Sequence, residues 1–136
     1  MESVILAVPR ALQTAFVSRI QATLAVTQFA NSAVISIATD GTRAYIVEDS
    51  SIATDYDPEE LCQISNHVAD PVFYTIEFSD IGMCRKILLL IADDPAIIVD
   101  NDHGILLSGK EFVMRIRTKP DWDWRIGAES VPGIDD

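Results

Sequence analysis

The chain has 136 residues, 49% of them hydrophobic and 23% charged, which is enough apolar material for one domain with its own core and argues against intrinsic disorder. Its 21 acidic side chains against 10 basic ones give a formal net charge of −11, a field that repels phosphate and excludes nucleic acid and anionic membrane as expected partners. Two cysteines, Cys62 and Cys84, are too few for a disulfide scaffold; both sit in apolar patterns, which predicts buried thiols in a reducing compartment.

The N-terminus, Met1-Glu2-Ser3, lacks the basic region of a signal peptide, and no apolar run reaches the ~18 residues of a membrane span, so a cytoplasmic setting is expected. Val4–Val8, ended by Pro9, reads as a strand buried on both faces. Leu12, Phe16, Ile20 and Leu24 recur every four residues and predict a helix over 10–29, broken at Asn31-Ser32. Ala33–Ala38 and Arg43–Val47 flank Asp40-Gly41, a dipeptide suited to the φ > 0 positions of a tight turn, and form a predicted hairpin. An acidic loop, Glu48–Tyr56, follows. Asp57-Pro58-Glu59-Glu60 is a helix start, with a capping Asp, a Pro at the first helical position and a Glu to close a capping box; Leu61, Ile64 and Val68 supply the stripe.

Asp70-Pro71 ends that helix, and Val72–Phe78 reads as a strand. Ser79 or Asp80 caps a third helix carrying Met83, Cys84, Ile87, Leu88 and Ile91, with Arg85 and Lys86 toward solvent, and Asp93-Asp94-Pro95 stops it. Ile97-Ile98-Val99 and Ile105-Leu106-Leu107 flank the turn Asp100-Asn101-Asp102-His103-Gly104 as a second hairpin. Ser108-Gly109-Lys110-Glu111 opens a last helix that buries Phe112, Val113 and Ile116 and exposes Lys110, Arg115, Arg117 and Lys119. The predicted order is β-α-β-β-α-β-α-β-β-α, an α+β fold with a mainly antiparallel or mixed sheet of about six strands and about four packed helices. Residues 1–125 form the expected single domain, and 126–136 a flexible acidic tail.

Catalytic motifs are not apparent in the sequence. His67 and His103 have no adjacent nucleophile, there is no G-x-S-x-G elbow, and the glycines make neither G-x-G-x-x-G nor a P-loop. The Asp100–Gly104 turn resembles a calcium loop only briefly, because the sixth position holds Ile105 where glycine is needed. No paired-cysteine zinc motif is present. We therefore expect a chain that is not an enzyme, with no cofactor, no metal and no catalytic residue.

Binding is better supported. Residues 1–47 carry Glu2 and Asp40 against Arg10, Arg19 and Arg43, a net of +1, so the remainder carries −12 of the total −11. The acidic stretch Glu48, Asp49, Asp55, Asp57, Glu59 and Glu60 contains no basic residue. With Asp100 and Asp102, and with Asp121, Trp122 and Asp123, it makes the candidate partner surface, since carboxylates steer a cationic partner and tryptophan anchors interfaces. The plain alternatives are a solvated acidic loop serving solubility, and indoles of Trp122 and Trp124 that fold back over the core edge.

The segment from Ile97-Ile98-Val99 through Asp100–Gly104, Ile105-Leu106-Leu107 and Ser108-Gly109-Lys110-Glu111-Phe112 to Pro120-Asp121-Trp122-Asp123-Trp124-Arg125 resembles the C-terminal part of small bacterial proteins: strand, acidic turn, strand, Gly-x-Glu-Phe helix start, Trp-Asp-Trp end. The general build resembles immunity proteins of contact-dependent and polymorphic toxin systems, over about the last quarter of the chain. The resemblance implies a cytoplasmic protein that binds and blocks a toxin's catalytic domain; a monomer or homodimer is expected. A basic, nuclease-like toxin domain is the expected partner, because nucleases hold phosphate with positive sites that an acidic surface can occupy. The alternatives are a small enzyme or ligand-binding domain with a site assembled from distant residues, or an oligomeric structural module.

Overall fold

A computed structural model describes residues 2–23, 26–31, 34–39 and 41–125, the segments 26–31 and 34–39 by backbone alone. The described chain runs β1 (Glu2–Pro9), α1 (Gln13–Thr23), β2 (Val26–Asn31), β3 (Val34–Thr39), β4 (Thr42–Glu48), α2 (Pro58–His67), β5 (Pro71–Phe78), α3 (Ile81–Ile91), β6 (Ile98–Asp100), β7 (Leu106–Ser108) and α4 (Gly109–Thr118). Short 3-10 helices cover Arg10–Leu12 and Ser50–Asp55. The strands form one sheet in the order β2-β3-β4-β5-β1-β6-β7, every neighbouring pair antiparallel. The α+β class and the antiparallel sheet are as the sequence predicts. Among the described residues the sheet has seven strands rather than six, five of them long and two (β6 and β7) three residues each.

The additional strand is β2, which replaces the end of the helix predicted over 10–29. That helix stops at Thr23, and Val26–Asn31 pairs with β3 instead. Its Val-Thr-Gln-Phe run favours extended backbone, and the non-local ladder outweighs the four-residue recurrence that carried the helix reading to Leu24. At the other end, Arg10–Leu12 is wound as a 3-10 turn, which shifts Leu12 off the 3.6-residue stripe and leaves it 38% exposed, while Phe16 and Ile20 are buried. Leu24, Ser32, Ala33 and Asp40 and the predicted tail, 126–136, lie outside the described residues. The first hairpin nevertheless has its predicted place, for Thr39 pairs with Thr42 and Gly41 takes φ +79°.

β1 is central because both its faces are apolar. Val4, Leu6 and Val8 enter the larger core, and Ile5 and Ala7 a smaller one on the opposite face. It pairs with β5 along its whole length and with β6 on its other side. β5 repeats the alternation: Val72, Tyr74, Ile76 and Phe78 share the larger core, and Phe73 the smaller. The larger core is covered by α1, α3 and α4 through Phe16, Ile20, Met83, Cys84, Ile87, Leu88, Ile91, Phe112, Val113 and Ile116. The smaller core is covered by Ile64 and Val68 of α2.

Capping occurs where the sequence places it. Asp57, Asp80 and Ser108 accept from the backbone N–H of Glu60, Gly82 and Glu111. No residue separates β7 from α4, and Gly109 makes this junction possible. Its N–H donates to Ile97 O at 2.7 Å, and a Cβ there would sit 2.0 Å from Ala92 O. Among the described residues no helix is long and apolar enough to cross a membrane. Of the two thiols, Cys84 is buried as expected and its pKa is pushed up by burial, whereas Cys62 is exposed on the outer side of α2.

Candidate functional site

The smaller face of the sheet carries a cleft of about 340 Å³ between the start of α2 and the β6–β7 turn. Ile5 and Ile52 give it an apolar floor, Ser3 and Thr75 line it from β1 and β5, and Gly104 from the turn. Its charged wall is Asp55, Glu60, Asp100 and Asp102, with Tyr56 among them. No Lys or Arg lines it.

Local chain chemistry sets this arrangement. Asp49 caps the 3-10 helix by accepting from Ser51 N at 2.9 Å and Ser51 Oγ at 2.6 Å. That helix delivers Asp55 and Tyr56 to the start of α2. Tyr56 precedes the N-cap and packs with Leu61 over the smaller core, the spacing of a hydrophobic staple, and its ring lies 5.8 Å from that of Phe73. Its hydroxyl donates to Asp100 Oδ2 at 2.7 Å, which ties α2 to the β6–β7 turn.

The turn is built by its own side chains. Asp100 Oδ1 accepts from Asp102 N, and the fully buried Asn101 Oδ1 accepts from both His103 N and Ile105 N. Asn101 Nδ2 donates to Trp124 O. Asp102 at φ +64° and Gly104 at φ +97° take the left-handed conformations this loop requires.

Burial shapes the electrostatics. Asp100 is 8% exposed, and burial raises its pKa above the ordinary carboxylate value, with Asp102 adding to the rise; the bonds from Tyr56 and Asp102 N oppose it. Tyr56 is held protonated, first by burial and then by the Asp100 charge, with Glu60 and Asp102 contributing. Glu60, Asp100 and Asp102 thus share one field around the Tyr56 hydroxyl. Among the described residues no group of three or more His, Cys, Asp or Glu is arranged to hold a metal ion.

Of the residues singled out from sequence, Asp55, Glu60, Asp100 and Asp102 come together in this cleft. Glu48 does not: it is in register with Tyr74, whose side chain enters the larger core, and it accepts from Gln13 Nε2 at 3.1 Å on the α1 side. Asp49 and Asp57 are occupied as caps, and Glu59 is exposed on the first turn of α2. Trp122 is corrected as a partner anchor. It is 6% exposed and lies 5.1 Å from the Phe112 ring, while Trp124, fully buried, meets Phe112 and Phe78 edge-on. Both indoles close the core, because left in water they would expose large apolar area. Asp123 forms a two-point ion pair with Arg125 (2.8 and 2.7 Å), which lowers its pKa, and Asp121 is exposed apart from it.

Neither histidine lines the cleft. His67 Nε2 meets Pro95 O at 2.6 Å, and His103 lies 3.7 Å from Glu2. Sequence reasoning missed Tyr56, Asn101, Ser3 and Thr75. The staple position of Tyr56, one residue before the Asp57 cap, was a usable signal for the first; the others become neighbours only through the sheet. Comparison with protein-family models, with curated proteins and with solved structures finds no match for the chain.

Proposed function

We propose that this chain is a non-catalytic binding protein of the immunity or inhibitor type, acting in the cytoplasm, that neutralises a basic toxin domain by seating a cationic group in the acidic cleft. The observation that carries the reading is convergence. Two acidic segments meet at one cleft without a lining Lys or Arg, joined by a hydrogen bond spanning 44 residues of sequence. Carboxylates that share a field repel one another, and an incoming guanidinium or ammonium relieves that repulsion. A nuclease-like domain, which holds phosphate with positive charge, is the partner such a wall imitates.

The test is co-expression with the product of a toxin-like gene encoded beside this one. The chain should protect the cells and co-purify with the toxin, and association should slow as salt rises. The triple variant Asp55→Asn, Glu60→Gln, Asp102→Asn should keep its fold and lose protection. Absence of binding to any such toxin, or full protection by the triple variant, overturns the proposal. A second reading, a domain that binds a small cationic ligand, is favoured by the cleft volume of about 340 Å³, which lies within the range of small-molecule sites. Calorimetric titration with a polyamine separates the two.

A further inference from the structure

The two edges of the sheet are managed differently. One edge, β7, is three residues long and runs directly into α4, with Lys110 at its second position. Short edges flanked by charge resist pairing with other chains. The other edge, β2, is six residues long, and among the described residues no strand pairs with its outer side. It lies within the longest uncharged run of the chain, Ile20–Thr39, twenty residues without Asp, Glu, Lys, Arg or His, and it contains no proline. Among the described residues bulges protect it: the β2–β3 register skips Thr27 and Ala30.

The charge distribution says what can approach this edge. Each copy carries −11, but residues 1–47 contribute +1 and every excess negative charge lies from Glu48 onward. Two copies meeting through the acidic remainder would repel; two copies meeting at the uncharged β2 edge bring together the least charged part of each. An antiparallel pair of identical strands is also self-complementary about a two-fold axis, which closes the assembly at two.

We propose that β2 pairs with β2 of a second copy, continuing the antiparallel sheet across a two-fold axis. The contact uses backbone N–H and C=O groups on the side of β2 with which no described strand pairs, and it leaves the acidic cleft of each copy open, since the cleft is built from β1, β5, α2 and the β6–β7 turn. It stands independently of the function proposed for that cleft.

Sedimentation equilibrium of the full chain from about 1 to about 100 µM tests it, because mass action makes self-association concentration-dependent. The mass should rise from 15.0 kDa toward twice that value. Added salt should strengthen the dimer by screening the mutual repulsion, whereas a contact between the cleft and the basic face of α4 would weaken with salt. The double variant Thr27→Lys, Ala30→Lys, at the two positions the register skips, should raise the dissociation constant at least about tenfold by placing like charge on both copies of the paired edge. Circular dichroism and the melting curve check that it is folded. Amide exchange supplies a readout without substitution: protection of 26–31 should grow with concentration. A wild-type chain that stays at 15.0 kDa throughout, a dimer that weakens with salt, or a folded variant that dimerises like the wild type overturns the proposal.

Discussion

Tyr56→Phe isolates the bond that joins the two halves of the cleft wall. The ring stays, so its packing on Phe73 is kept; what is lost is one hydroxyl donating to a carboxylate that is 8% exposed. Hydrogen bonds to charged groups contribute about 1.5–3 kcal/mol, and the lower end applies here because water in the cleft can reach part of the vacated site. At neutral pH the variant should therefore lose about 1.5 kcal/mol in urea unfolding, with an unchanged m-value. The pH dependence follows from Asp100. Its folded pKa is raised above the unfolded value, so its contribution to stability is fully present below the ordinary carboxylate range and is lost as pH rises through the folded pKa. The Tyr56 bond favours the ionised form and lowers that pKa, so removing it should push the Asp100 titration further up, readable by carboxyl NMR. The stability loss should shrink in acid, where Asp100 is protonated in both proteins. An equal loss at every pH, or an unmoved Asp100 titration, refutes this account of the wall.

Further outcomes follow from the packing and the ion pairs. Gly109→Ala should cost more than the usual ~1–3 kcal/mol of overpacking, since its Cβ would lie 2.0 Å from a backbone oxygen; thermal unfolding by circular dichroism checks this. Trp124→Ala should lose about 3–5 kcal/mol in the same assay, as removal of a fully buried indole does. Asp57→Ala should cost about 1 kcal/mol by uncapping α2, and Asp57→Ser should recover most of it. The Asp123–Arg125 pair contributes stability above the ordinary carboxylate range and loses it as pH falls through the lowered Asp123 pKa; at 31% and 34% side-chain exposure the effect is only ~0.2–1 kcal/mol, which Arg125→Ala measures.

Much of the fold was legible where local chemistry and tertiary packing agree. Asp57-Pro58 starts α2, Ser108 caps α4, Gly41 takes φ +79° beside the paired Thr39 and Thr42, and the doubly apolar Val4–Val8 run is the central strand. β2 was misread because the helical period of Leu12, Phe16, Ile20 and Leu24 was carried on to residue 29, across the Val26–Asn31 segment that pairs with β3; a ladder is non-local and leaves no four-residue signature. The cleft was half legible. Its acidic residue types stood out, but a stretch of carboxylates does not say which side chains share a face. For Glu48 the signal existed: it has the parity of Ala44 and Ile46, both buried in the larger core, and so faces away from the cleft. The Tyr56–Asp100 contact, by contrast, depends on how α2 and the second hairpin lie across the sheet.

The unequal burial of the two cysteines equips the molecule as its own sensor. Cys84 is enclosed and its thiol is held protonated, so a maleimide dye should attach at Cys62 alone, without any engineered site. Cys62 stands two residues beyond Glu60 on the helix that forms one wall of the cleft, and the indoles of Trp122 and Trp124 sit together in the core as fixed donors. Energy transfer from those indoles to a dye at Cys62 would follow movement of α2 as the cleft is filled. A binding titration can thus be run optically on the otherwise unaltered chain.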